Sequence, residues 1–203
     1  PMQQGISAAD GSILWNGPRY NYVNNAYIDD AYYGIIDASL NIYTTGRIYV
    51  GGGNIGTMRP YISKFNSFGQ HIWTKYYVGN PSAEVRVYGI DLLLENDSLT
   101  ICYFGNINAY SNNFEIGLIH TDSTGIFAWG KNYQITNFST ELSYKVLKMS
   151  YGYAITGYGS GGGDDLFILA VSNQGNLLWA KGYGSASTVE DIYASVGRNA
   201  IAI

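Results

Sequence analysis

Apolar and polar positions alternate along most of the chain in short runs that are separated by turn-forming residues. Runs such as "PYISKF" (60–65), "IGLIHT" (116–121) and "LFILAV" (166–171) each lead into a segment rich in Asn, Asp, Ser and Gly. Such segments are typical of β-hairpin turns. No stretch shows a sustained 3.6-residue period with capping residues, which a helix requires. The pattern predicts an all-β chain.

A repeat is built around the four tryptophans. Each tryptophan follows a glycine by four residues, and three of them are followed by Lys two residues later and Tyr four residues later. Because side chains alternate along a strand, Trp, Lys and Tyr at steps of two share one face. Successive tryptophans are 58, 56 and 50 residues apart, which is typical of the four-stranded blades of a propeller. The repeat residues are Gly11, Trp15, Gly69, Trp73, Lys75, Gly125, Trp129, Lys131, Gly175, Trp179 and Lys181.

Each repeat is interpreted as four strands, named a to d in chain order. Strands c and d flank the glycine turn, as in "IGLIHTDSTG" (116–125), while a run such as "EVRVYGIDLLL" (84–94) predicts strand a and "LTICYFG" (99–105) predicts strand b. The first copy departs from the pattern, because Gly17 and Pro18 follow Trp15 and Arg19 stands in for the missing Lys.

We therefore predict one domain, residues 1–203, folded as an all-β propeller of four blades with four antiparallel strands each. One blade is completed by both chain ends, with "AIAI" (200–203) pairing with "GISAA" (5–9). In the alternative, these terminal strands pair between molecules and join subunits into a filament. We also expect Trp73, Trp129 and Trp179 to be mostly buried between blades, at equivalent positions.

The motif D-x-x-G-x-x-x-W-x-K-x-Y is shown best by Asp122, Gly125, Trp129, Lys131 and Tyr133. It resembles the Trp-bearing β-propeller repeats of secreted and surface proteins of microbes, and the resemblance covers nearly the whole chain. The resemblance implies a propeller that is secreted or held at the cell surface, but no particular activity. The sequons at Asn96 and Asn137 are predicted to lie at turns, where glycosylation is sterically feasible; in a chain rich in Asn and Ser they also arise by chance.

Composition and charge narrow the range of partners. The formal net charge is −4 and no run of Lys or Arg forms a basic stripe, so we expect no nucleic-acid partner. The longest clean apolar run is far shorter than the ~20 residues that span a bilayer, so we expect no membrane span. The single cysteine, Cys102, lies in a strand-like apolar run and is predicted to be a buried structural thiol.

Candidate chemistry is sparse. His71 and His120 occupy different units and form no metal-binding spacing, and no G-x-S-x-G motif is present. We therefore predict no catalytic residue, no metal and no cofactor. One constellation recurs: the cation after each Trp is followed nine or ten residues later by an acid. These acids either fix the crossing between units through an ion pair or form a ring at the channel mouth that binds a cation or an amine. The four acids are Asp29, Glu84, Glu141 and Glu190.

Two function classes follow. The first is a non-catalytic binding or structural scaffold that presents rim loops rich in Tyr, Asn and Gly to a protein or a glycan. The second is an enzyme, such as a glycoside hydrolase, that uses the four acids at the channel mouth. The absence of a local catalytic motif favours the first class.

Overall fold

The computed structural model describes residues 4–6, 13–16, 30–50, 57–77, 86–106, 114–135, 140–160 and 164–183, and only the backbone of residues 4–6, 13–16, 57, 140 and 164–165. These residues form strands joined by turns and contain no helix, so the all-β prediction is confirmed for them. None of them belongs to a helix that is long and apolar enough to cross a membrane. The strands are β1 (Gln4–Ile6), β2 (Ile13–Asn16), β3 (Asp30–Ile36), β4 (Ile42–Val50), β5 (Thr57–Phe65), β6 (His71–Tyr76), β7 (Arg86–Glu95), β8 (Ser98–Asn106), β9 (Glu115–Asp122), β10 (Phe127–Tyr133), β11 (Thr140–Met149), β12 (Gly152–Ser160), β13 (Asp164–Ser172) and β14 (Leu177–Tyr183).

Three antiparallel meanders of four strands account for most of the described chain. Strands β3 to β6, β7 to β10 and β11 to β14 each pair with their neighbours in chain order. A single parallel bridge between Met58 of β5 and Arg86 of β7 links the first two meanders into one sheet, while the third is a separate sheet. Strands β1 and β2 pair antiparallel by themselves. The described sheets do not close on one another, and the predicted pairing of "AIAI" (200–203) lies outside the described residues.

The turns between strands c and d share one hydrogen-bonding pattern. In the turn after β9, Asp122 Oδ1 accepts the backbone N–H of Thr124 and of Ile126, each at 2.8 Å. Gly125 has a φ of 78°, a left-handed conformation that glycine adopts without strain, and its N–H donates to the Asp122 carbonyl. The D-x-x-G segment is therefore a hairpin turn with a side-chain acceptor at its start and a left-handed glycine near its end. The same turn is formed by Asn66 with Gly69 and by Ser172 with Gly175.

The W-x-K-x-Y segment holds the turn of the next unit. Tyr133 Oη donates to the carbonyl oxygen of Gly175 at 2.8 Å, and this bond is buried. The Trp129 ring and the Lys131 stem cover Gly175 so closely that an added Cβ would lie 2.6 Å from Trp129 Cζ3 and 2.9 Å from Lys131 Cγ. We call the Trp, Lys and Tyr of one d strand a seat. The preceding seat, Trp73, Lys75 and Tyr77, holds Gly125 in the same way.

The seats explain how the tryptophans are buried. Trp73 and Trp129 are half-buried and pack against the two hydrophobic clusters of the core. Trp179 is 42 % exposed, so the prediction that it is mostly buried is wrong for the described structure. The seats of Trp73 and Trp129 are each covered by the turn of the following unit, whereas the residues that follow Tyr183 lie outside the described ones.

The core lies between the meanders. One cluster joins the first two meanders through Ile62, Leu92 and Ile101, and the other joins the second and third through residues such as Leu118 and Ile155. All five side chains are fully buried, and burying each contributes about 1.5 to 3 kcal/mol. As predicted, Cys102 is a buried thiol in this core, and burial raises its pKa to about 12.

Candidate functional site

A charged cluster lies where the three a strands approach one another. Strands β3, β7 and β11 each carry a β-bulge, and the residues that follow the bulges are Tyr33, Asp91 and Lys145. Lys145 Nζ lies 3.3 Å from Asp91 Oδ1 and 4.3 Å from the centroid of the Tyr33 ring. Asp91 Oδ2 also accepts the backbone N–H of Val146 at 3.0 Å. The cluster therefore ties the three units together at their a strands.

The charged cluster is buried, which indicates a structural role. The Asp91 side chain is 1 % exposed and that of Lys145 is 11 % exposed. A charge removed from water in this way is stable only when it is paired and hydrogen-bonded, which is the arrangement found here. The amine is engaged by a carboxylate and an aromatic face, so the cluster fixes the a strands relative to one another.

Of the four predicted acids, Glu141 is the one that the structure describes. It is 2 % exposed, and its Oε1 accepts the backbone N–H of Ile135 at 2.8 Å, in the segment that crosses from one unit to the next. Burial, together with the nearby carboxylate of Glu115, raises the pKa of Glu141 to about 7. Glu141 thus fixes the crossing through a backbone hydrogen bond. It does not form the predicted ion pair with Lys131, whose side chain is exposed. Asp29, Glu84 and Glu190 lie outside the described residues.

His120 belongs to a polar group between the second and third meanders. Its Nδ1 lies 2.9 Å from Thr100 Oγ1, and its ring stacks on Trp129 with 5.1 Å between centroids. Tyr153 Oη, 3.4 Å from the same nitrogen, donates to Glu95 Oε2 at 2.8 Å. Burial lowers the pKa of His120, which favours a neutral ring. The group orders the contact between the two units.

An aromatic platform connects the first two meanders at the strand ends that lead into the b–c loops. Arg47 lies between two tyrosine rings, with its guanidinium carbon 5.9 Å from the centroid of Tyr32 and 5.2 Å from that of Tyr88. Asp30 accepts from Arg47 Nε at 2.7 Å and holds the guanidinium in place. The Tyr88 ring stacks on Phe104 at 5.2 Å. Five side chains of β3, β4, β7 and β8 thus form one platform: Asp30, Tyr32, Arg47, Tyr88 and Phe104.

The platform is accessible to solvent. Tyr32 is 44 % exposed, and the side chains of Arg47 and Asp30 are 21 % and 31 % exposed. A partly exposed tyrosine ring with a fixed guanidinium over it and a carboxylate beside it offers both stacking area and hydrogen-bonding groups. The chemistry of this platform suits a polar ligand with apolar faces.

The remaining predicted sites are placed as follows. Asn96 lies at the exposed turn between β7 and β8, where a glycan can be attached without steric conflict, while Asn137 lies outside the described residues. Gly11 also lies outside them, and only the backbone of Trp15 is described. No group of three or more His, Cys, Asp or Glu side chains able to hold a metal ion occurs among the described residues.

Sequence reasoning missed the charged cluster and the platform. A partial signal for the cluster was present, because Asp91 interrupts the apolar run "YGIDLLL" of β7. Lys145 gives a weaker signal, since β11 also contains Glu141 and Lys148. The platform has no such signal, since Arg47 and Tyr88 belong to different units and are 41 residues apart in the chain.

In comparisons with known proteins, no family model and no curated protein matches the chain.

Proposed function

We propose that the chain is a non-catalytic scaffold of the β-propeller type, secreted or at the cell surface, and that the aromatic platform binds a glycan. The single observation that carries the proposal is the exposed Tyr32 ring beside Arg47, fixed by Asp30. Sugar rings present apolar C–H faces and a rim of hydroxyls, so an aromatic face flanked by a donor and an acceptor matches their chemistry.

Two observations support the propeller arrangement. The a strands of successive meanders, β3, β7 and β11, contact one another, whereas the d strands lie at the far edges of the meanders. Two successive seats also hold the turns of the following units through the same hydrogen bond. Repeated contacts of this kind stack blades around an axis, with rim loops gathered at the strand ends. The platform lies at such an end.

Hydrolysis is less well supported than binding. Glu141, the described member of the predicted acid set, is 2 % exposed and is engaged by the backbone of Ile135. A glycosidase needs two carboxyl groups that flank the scissile bond, and both must reach the substrate. The buried position of Glu141 suits a structural acid.

The test is a glycan array probed with the purified chain, its Tyr32→Ala variant and a Tyr151→Ala control. Tyr151 is a matched control because it is also an exposed tyrosine, at 39 %, but lies in the turn between β11 and β12. We expect binding to the same glycans by the wild type and Tyr151→Ala, and loss of binding in Tyr32→Ala. Unchanged binding by Tyr32→Ala, or no retained glycan, would contradict the proposal; release of sugar from a bound glycan would favour the enzyme.

A protein partner is the second candidate, favoured by apolar side chains at the tips of the c–d hairpins. Phe68 is 74 % exposed, Ile126 60 % and Leu177 50 %. An apolar surface at equivalent tips of successive units is suited to a protein contact. The wild type and a Phe68→Ser/Ile126→Ser variant are immobilised, and bound proteins are identified by mass spectrometry. A partner that is lost in this variant but kept by Tyr32→Ala would assign protein binding to the hairpin tips.

A further inference from the structure

The aromatic platform balances the charge of its own arginine. Arg47 Nε donates to Asp30 Oδ2 at 2.7 Å, and Arg47 Nη2 lies 2.5 Å from the same oxygen. Tyr32 Oη also donates to this oxygen, at 3.4 Å. The guanidinium lies over the rings of Tyr32 and Tyr88. A carboxylate and two aromatic faces therefore surround the cation, and the five side chains of the platform carry no net formal charge.

This pairing opposes the binding of an acidic sugar. A carboxylate or a sulfate that approaches Arg47 also approaches the Asp30 side chain, which is 31 % exposed and in direct contact with the guanidinium. Like charges that are brought together at an interface weaken binding. Arg86, a second cation at the start of β7, is exposed, so water and salt screen its charge. The fixed charges at the platform therefore give an acidic sugar no advantage over a neutral one.

A neutral sugar meets no such opposition. The contacts that Asp30 receives from Arg47 and Tyr32 all use Oδ2, so its Oδ1 can accept the hydroxyls of a bound sugar. An ionised carboxylate only accepts hydrogen bonds, which suits a ligand that is rich in hydroxyl donors. The exposed part of the Tyr32 ring supplies an apolar face on which a sugar ring can pack.

We propose that Asp30 makes the platform selective for neutral sugars and against sugars that carry a carboxylate or a sulfate. This inference rests on the proposed glycan binding, and it assigns the choice between two classes of glycan to one side chain. Removal of the Asp30 charge uncovers the guanidinium of Arg47. An uncovered guanidinium matches a carboxylate or a sulfate through two parallel hydrogen bonds.

The test compares sugars that differ in charge. The arrayed probes are oligomers of galacturonic acid and of glucuronic acid, each printed beside its methyl ester, and sialylated glycans printed beside their desialylated forms. The variants are Asp30→Asn, Tyr32→Ala and Asp97→Asn. Asp97→Asn is the matched control, because it also removes one negative charge, but at the exposed turn between β7 and β8, away from the platform.

We expect the wild type and Asp97→Asn to bind the neutral member of a pair at least about tenfold more tightly than the acidic member. In Asp30→Asn this preference is lost or reversed, because the acidic member gains Arg47 as a partner. Binding of a neutral glycan by the wild type is also expected to stay constant as salt rises from about 0.01 to 1 M, where the Debye length falls from about 30 to 3 Å. This last measurement needs no variant to fold.

Failure of this inference and failure of the proposed function give different results. If no glycan is retained, or if Tyr32→Ala binds glycans as the wild type does, the proposed function fails and this inference fails with it. Three results would overturn the role of Asp30 and leave glycan binding in place. They are a preference for acidic probes that is lost in Tyr32→Ala, salt-sensitive binding by the wild type, and a folded Asp30→Asn that keeps the preference or binds neither member of a pair.

Discussion

Replacing Gly175 by alanine tests whether the seat is built around a glycine. Gly175 has a φ of 74°, and its new Cβ would lie 2.6 Å from Trp129 Cζ3 and 2.9 Å from Lys131 Cγ. A left-handed backbone costs an L-residue roughly 1 to 2 kcal/mol, and overpacking costs roughly 1 to 3 kcal/mol. Alanine also lowers the conformational entropy of the unfolded chain, which offsets about 0.4 to 1 kcal/mol of this loss. The expected net loss in the free energy of unfolding is therefore about 1 to 4.6 kcal/mol.

The assay is urea unfolding followed by circular dichroism, with Gly130→Ala as the matched control. Gly130 lies in the neighbouring hairpin, has no left-handed φ, and its new Cβ would meet the exposed ring of Phe127 at 3.2 Å. We expect Gly130→Ala to stay within about 0.5 kcal/mol of the wild type. The Gly175→Asn variant separates the cost of the left-handed backbone from the cost of overpacking, because it avoids most of the backbone strain and keeps the clash with the seat. If Gly175→Ala is as stable as Gly130→Ala, the seat does not depend on a glycine and the reasoning is refuted.

Two further predictions concern single groups. Tyr133→Phe removes the buried donor to the Gly175 carbonyl, and the unpaired carbonyl is expected to cost about 1 to 3 kcal/mol in urea unfolding. A change in the free energy of unfolding that is within error of zero would mean that water replaces the tyrosine hydroxyl. Glu141→Gln tests the raised pKa: the folded-state pKa of about 7 lies above the ordinary 4.5, so its contribution to stability is complete below pH 4.5 and is lost as the pH rises through 7. We expect the wild type to lose stability over this range relative to Glu141→Gln, and parallel pH profiles would contradict the shift.

The hairpins and the meander units are predictable from the sequence because their signals are local. An acceptor side chain, a left-handed glycine and an alternating run lie close together in the chain, as in the segment from Ile116 to Tyr133, and each acts on its own neighbours. The fixed offset from Gly125 to Trp129 reflects the turn followed by the strand that carries the seat. Repetition of the motif then predicts repetition of the unit.

The contacts between units are not predictable in the same way. The motif shows that Trp129 and Tyr133 share a face, but not that they hold Gly175, which lies 42 residues beyond Tyr133. The predicted ion pair between Lys131 and Glu141 follows from sequence spacing, yet Glu141 faces the buried crossing while Lys131 is exposed on β10. Spacing along a chain gives the order of charges but not the face on which each lies.

The charged cluster shows a further limit, because β-bulges decide which residues meet. A bulge adds one residue to a strand and shifts every later side chain to the opposite face. In β7 and β11 the bulges precede Asp91 and Lys145, which therefore point toward one another between units. A regular alternation read from the sequence does not show these shifts.

The charged cluster also leads to a prediction that separates stabilisation by the Asp91–Lys145 ion pair from stabilisation by packing of the Lys145 side chain. Lys145→Met keeps most of the side-chain volume but leaves Asp91, 1 % exposed, without its cation. Breaking a buried pair by removing one partner costs about 3 to 5 kcal/mol. Asp91→Asn removes the other charge and keeps an oxygen that can accept the Val146 N–H.

The double variant Asp91→Asn/Lys145→Met is expected to be more stable than Lys145→Met alone, since it no longer carries the buried charge of Asp91 that has lost its lysine. The measurement is a double-mutant cycle in urea at neutral pH, and the coupling energy expected for groups in contact is about 0.5 to 3 kcal/mol. Additive losses would show that Lys145 contributes through packing against Tyr33 and not through the ion pair. The approach of the three a strands would then depend on shape and not on charge.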